Sequence, residues 1–188
     1  MKQEFYTADY YLGGHLGHEP YAWDNKIWRQ FFSHVASKIV EVFNPVTVLD
    51  AGCAIGFLVD ELRKRHVHAV GFDFSEYAIS VAQAHGLKDF VFQEDLISVA
   101  HNKIYDLVTC IEIVEHIPED YAHNAIESLC GLSNHRILFS STPDDFEEST
   151  HFNVRSEDYW LGLFKEFGFY KVGEAPWLCK HALILEKA

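Results

Sequence analysis

Eleven residues, Val46-Thr47-Val48-Leu49-Asp50-Ala51-Gly52-Cys53-Ala54-Ile55-Gly56, do most to limit what this chain can fold into. The first four are β-branched or aliphatic, which suits a strand buried on both faces. A carboxylate ends the run. Two glycines four apart then turn the chain into the helical pattern Phe57 to His66. Strand, glycine turn and helix N-terminus make a cradle for a nucleotide-like ligand, with close backbone approach and free N–H groups expected to face it. The spacing Gly52-x-x-x-Gly56 is not the G-x-G-x-x-G of pyrophosphate binders, and no G-x-x-x-x-G-K-[ST] phosphate loop occurs.

The rest of the chain repeats this alternation. Asn25 to Phe43 has apolar residues at threes and fours and stops at Asn44-Pro45. Strands are expected at 67–73, 90–92, 104–111 and 136–141, with helices at 75–85, from Pro118 to about Leu132, and at 156–167. Phe169 to Val172 and Ala182 to Leu185 close the chain as a strand pair. Strands separated by helices imply a parallel α/β sheet with right-handed crossovers. Asp73 follows Asp50 by 23 residues. βαβ nucleotide sites place an acid there to accept hydrogen bonds from both ribose hydroxyls; a cap for the following helix is the alternative. Phe74 is either the cover of an adenine face or a core aromatic.

At 188 residues the chain can bury a real core, and an aromatic content of 15% excludes general disorder. No apolar run reaches the roughly 18 residues of a membrane span, and Met1 to Phe5 lacks an apolar signal core. Cys53, Cys110, Cys130 and Cys179 are widely spaced, which fits reduced, mostly buried thiols of a cytoplasmic protein and neither disulfides nor zinc ligands. The net charge of −13 disfavours nucleic acid as a partner. Residues 1–24 form an aromatic segment around Gly13-Gly14-His15-Leu16-Gly17-His18, either a lid hinged at the glycines or a fixed part of the fold, ahead of a domain at 25–188.

The pattern D-x-G-C-x-x-G after an apolar strand resembles motif I of the class I S-adenosylmethionine (SAM) dependent methyltransferases, with Ala54 where that family often has a third glycine. The resemblance covers about residues 25–188. It implies a Rossmann-like methyltransferase sheet, mostly parallel with an antiparallel C-terminal strand and helices on both faces. It also implies that Asp50, Gly52, Cys53 and Gly56 hold the methionine end of SAM and Asp73 the ribose. Asp95 then meets the adenine amino group, with Ile111 a further cofactor contact.

Glu112, Glu115 and His116 follow the fourth strand, and a helical turn over 112–116 would set them on one face. His116 is the candidate general base and Glu112 a second catalytic candidate; the alternative has Glu112 beside the SAM amino group and Glu115-His116 as helix-entry residues. With His151 the same residues are candidate ligands for a divalent metal, which would acidify a hydroxyl. E-x-x-E-H with a later histidine resembles the small-RNA 3′-terminal 2′-O-methyltransferases and the ubiquinone-pathway O-methyltransferases, and equally relatives that use no metal. The expectation is O-methylation of a small-molecule acceptor, a polar metabolite or sugar unit. RNA 3′-end methylation and a non-catalytic SAM-binding module are the alternatives.

Overall fold

The computed structural model describes residues 3–13, 19–100 and 102–188. Gly14 to His18, the centre of the expected hinge, lie outside the described residues. A long helix (α2, Lys26–Phe43) follows a short N-terminal one (α1, Ala8–Leu12). Asn25 caps α2 by accepting the Ile27 N–H at 2.9 Å, and Asn44 ends it in the left-handed region. Strand β1 (Thr47–Ala51), helix α3 (Phe57–Lys64), strand β2 (His68–Asp73), helix α4 (Glu76–Ala82) and the short strand β3 (Val91–Gln93) form the first half. Strand β4 (Tyr105–Ile111), helix α5 (Ala122–Leu132), strand β5 (Ser133–Ser140), helix α6 (Glu157–Glu166) and strands β6 (Phe169–Glu174) and β7 (Leu183–Lys187) form the second.

The seven strands lie in the order β3-β2-β1-β4-β5-β7-β6. All pairs from β3 to β5 are parallel, whereas β7 inserts antiparallel to both β5 and β6. The expected C-terminal strand pair is therefore present, and it closes the sheet edge. On one face α5 and α6 bury Trp160, Phe164 and Ile126 against Phe139 and Phe169; on the other, Val35 and Ile39 of α2 meet Leu58 and Leu62 of α3. Strand order reverses between β1 and β4. The carboxyl ends of those strands open there into the crevice where α/β sheets bind ligands.

The N-terminal segment packs onto this edge. Tyr6 and Tyr11 are buried against Ile55, Phe57 and Ala78, and the Tyr6 carbonyl accepts a hydrogen bond from Ser75 Oγ at 2.7 Å. Tyr21 N–H donates to the Tyr11 carbonyl.

The expected helical turn over 112–116 is corrected. Glu112 N–H donates to the Ser140 carbonyl, extending the β4–β5 ladder, and its φ of 53° breaks helical phase. Only Val114–His116 form a 3-10 turn. The three polar side chains consequently leave the backbone in different directions. The proline start is corrected likewise: Pro118 precedes a 3-10 turn, Glu119–Tyr121, and α5 begins after it.

Candidate active site

A cleft of about 510 Å³ lies at the β1/β4 reversal. Its lining includes Asp50, Gly52, Cys53, Asp73, Phe74, Ile111, Glu112, His116 and His151 from the expected set. Gly56, Asp95 and Glu115 are not among the lining residues. Among the described residues seven carboxylates face it, Glu19, Asp50, Asp73, Glu94, Glu112, Asp145 and Glu148, and no lysine or arginine does. Tyr6, Tyr10, Tyr11, Tyr21, Trp28, Phe31 and Phe32 form an aromatic wall. Such a surface attracts a cation and repels phosphate.

The glycine turn works differently from the free-amide cradle expected of it. Gly52 N–H and Cys53 N–H both donate to the Phe72 carbonyl at 2.9 Å, and Gly56 N–H donates to Cys53. Ala54 N–H donates to Asp73 Oδ2 at 2.8 Å. These donors are spent inside the protein, a pattern suited to a ligand without phosphate at this point. Gly52 has φ 81°, and a Cβ there would stand 2.3 Å from Ile113 Cδ1, so glycine lets the turn close over β4. Gly56 also has a left-handed φ and begins α3 beneath the cleft, pressed against Leu87. Ala54 holds φ 46° without being glycine.

Asp73 is buried, and it does not cap α4; Ser75 does, its Oγ accepting Ala78 N–H. Each Asp73 oxygen accepts one backbone N–H at 2.8 Å, from Ala54 and from Ser75. Each therefore keeps acceptor capacity for a hydroxyl in the cleft. Asp50, also buried, accepts Thr109 Oγ1 at 2.6 Å. Burial pushes its pKa up to about 7, with the Asp73 charge adding to the rise and the Thr109 bond opposing it.

Asp95 turns away from the cleft to accept the Ile97 N–H, while its neighbours Glu94 and Leu96 line it. Two adjacent acids after a three-residue edge strand give no sequence signal of which one points inward.

Beyond β4 the polar residues separate into two groups. Glu112 Oε1 lies 2.8 Å from His181 Nε2, with Cys179 beside them. Glu115 is fully buried, its Oε1 accepts Thr142 N–H at 3.5 Å, and its Oε2 has no hydrogen-bond partner among the described residues. Burial, with the Glu112 charge, holds the Glu115 carboxyl far above the usual range. Glu115, His116 and His151 have one donor atom each within 4.8 Å of the others, and Glu112 falls outside that group. His116 donates Nδ1–H to the Thr150 carbonyl at 3.1 Å, and its ring stands 4.6 Å from that of His151. Burial, with His151 alongside, lowers the His116 pKa to about 4. His151 Nδ1 lies 2.9 Å from the Asp145 carbonyl and Nε2 3.4 Å from Glu148 Oε2. Asp145 and Glu148 sit in an acidic run that reads either as a solvated loop or as a face toward a cationic or polyhydroxyl substrate, and they line the cleft; Tyr10 and His181 carry no individual signal, because their partners are distant in sequence.

A family model described as a methyltransferase domain matches residues 18–174. The ubiquinone biosynthesis O-methyltransferase of Marinobacter nauticus is 32% identical over 124 residues, covering 61% of this chain and 51% of the relative. That of Hahella chejuensis is 37% identical over 78 residues, 38% of this chain and 33% of the relative. The chain thus spans about half or less of the length of these relatives. Among solved structures, magnesium protoporphyrin IX methyltransferase from Synechocystis, with bound S-adenosylhomocysteine, superposes with a TM-score of 0.68 at 22% identity. That match covers 86% of this chain and 84% of the other. A SAM-dependent methyltransferase from Clostridium acetobutylicum gives 0.68 at 13% identity, over 88% and 93%. No described helix is long and apolar enough to cross a membrane. Matched by that family model over most of its length, and sharing the fold of these solved methyltransferases, the chain belongs to the SAM-dependent methyltransferases of class I.

Proposed function

We propose that the enzyme methylates a hydroxyl oxygen of a small polar acceptor, a metabolite or a sugar unit, with His116 as general base. The observation that carries this is the seating of His116 in the cleft wall just beyond β4. Its Nδ1 is committed to the Thr150 carbonyl, so the neutral ring keeps its lone pair at Nε2. SAM, when bound, supplies an electrophilic methyl group on a sulfonium. The protein has to align an oxygen with that carbon and remove one proton. A cleft of about 510 Å³ that must also hold SAM leaves room for a small acceptor. Its carboxylates disfavour phosphorylated acceptors, RNA ends included. The names of the O-methyltransferase relatives support oxygen as the acceptor atom.

A second reading rests on Glu115 Oε2, buried beside His116 and His151 without a hydrogen-bond partner among the described residues. A carboxylate and two imidazoles suit a divalent cation, which would acidify the acceptor hydroxyl. Two measurements on wild type and His116→Ala decide between them. As a base, the loss of His116 lowers turnover by about 10²–10⁴ with SAM affinity kept, and chelation leaves the wild type active. Activity abolished by chelation and restored by Mg²⁺ or Mn²⁺ selects the cation. Near-normal turnover of His116→Ala rejects both.

A further inference from the structure

The N-terminal segment reaches the acceptor end of the cleft through a chain of hydrogen bonds. Tyr10, on α1, donates its hydroxyl to Glu148 Oε1 at 3.0 Å, across 138 residues of sequence. The same oxygen accepts Thr150 Oγ1 at 2.6 Å. Thr150 is buried, and its carbonyl is the acceptor for His116 Nδ1–H. Tyr6 reinforces the arrangement: its ring stands edge-on to His116 at 5.9 Å and to Tyr10 at 5.1 Å. Tyr10 and Glu148 both line the cleft, so the tie is made inside the pocket wall.

We infer that Tyr10 and Glu148 are positioning residues for methyl transfer: their hydrogen bond fixes Thr150, and through its carbonyl the tautomer and direction of His116. This rests on His116 acting as the base. An imidazole accepts a proton only at the nitrogen that lacks one, and the partner of the other nitrogen selects which that is. Here the partner is a carbonyl in the segment 141–153, which has no helix or strand. Its position therefore depends on side-chain tethers, and a hydrogen bond to a carboxylate is a strong one. The arrangement couples two events. The Nε2 lone pair faces the acceptor when the N-terminal segment is seated over the cleft, so proton removal goes with cover of the cofactor.

The test compares wild type, Tyr10→Phe, Glu148→Ala and Glu148→Gln, each with ¹⁵N-labelled histidine and saturated with S-adenosylhomocysteine. His116 ring signals are assigned by their loss in His116→Gln. Wild type and Glu148→Gln, whose amide oxygen still accepts both hydroxyls, should show the Nδ1–H tautomer. Glu148→Ala should show a mixture, with kcat lower by about 10- to 100-fold and KM for SAM nearly unchanged. Tyr10→Phe, which leaves Glu148 and His151 in contact, should lie between. A His116 pattern in Glu148→Ala and Tyr10→Phe identical to wild type overturns the inference. If His116→Ala itself turns over normally, the base assignment fails, and the tautomer comparison still decides whether the tie orients the ring.

Discussion

Replacing Asp73 by alanine should weaken cofactor binding far more than a surface charge could. In the folded protein each carboxylate oxygen already accepts a backbone N–H, from Ala54 and Ser75, and has capacity for one more donor. The two ribose hydroxyls of SAM are the expected donors. Losing both at about 1–2 kcal/mol each gives about 2–4 kcal/mol, a rise in Kd of about 30- to 1000-fold. The substitution also strips two amides of their acceptor, which costs stability. Removal of a carboxylate whose burial raises its pKa offsets part of that. Folding and binding must therefore be read separately. Denaturant unfolding first establishes conditions in which the variant is folded, and calorimetric titration with SAM follows under those conditions. Asp73→Asn, which retains one oxygen, should fall between. A folded Asp73→Ala protein that binds SAM as tightly as wild type would refute the assignment of this acid to the ribose.

Other predictions follow from the same edge of the sheet. The Asp50 pKa is raised from 3.8 to about 7, so the folded state holds a proton that the unfolded state has released. Stability should fall as pH rises from about 4 to about 7 and then level, and Asp50→Asn should flatten that slope in urea titrations across pH. Binding a cationic ligand below pH 7 should release a proton, detectable by calorimetry in buffers of different ionisation enthalpy. Gly52→Ala combines a left-handed φ with a Cβ driven against Ile113, and should destabilise by about 1–3 kcal/mol in thermal unfolding. Ala54→Gly relieves a left-handed alanine in the same loop and should stabilise by about 0.5–1 kcal/mol.

The sheet was legible because its signals are local. Buried strands such as Val48 to Ala51 and Leu107 to Cys110 are apolar but for Asp50 and Thr109, and α2 carries a long stripe between two clear stops. That the glycine turn and Asp73 share one edge of the cleft was legible for the same reason, since their spacing is set within one βαβ unit; that the turn's amides bond within the protein was not. The side-chain pairings at the His116 end of the cleft were not legible either. Tyr10 meets Glu148, and Glu112 meets His181, across separations that no periodicity spans. The expected helical turn at 112–116 failed on one residue: the ladder bond to Ser140 and the left-handed φ of Glu112 are tertiary facts. Glu148 lies in an acidic run whose composition suits solvent, and only the fold shows it facing two hydroxyls.

Methyl transfer to oxygen is tested most directly by following the methyl group itself. The protein is incubated with SAM carrying a ¹³C-labelled methyl and with pools of neutral, amine-bearing and phosphorylated hydroxyl compounds, and the products are read by ¹H–¹³C correlation. The account predicts a labelled methyl at an O-methyl shift, formed from a small unphosphorylated acceptor and lost in His116→Ala. Label appearing on nitrogen or carbon, or only on phosphorylated acceptors, would contradict it.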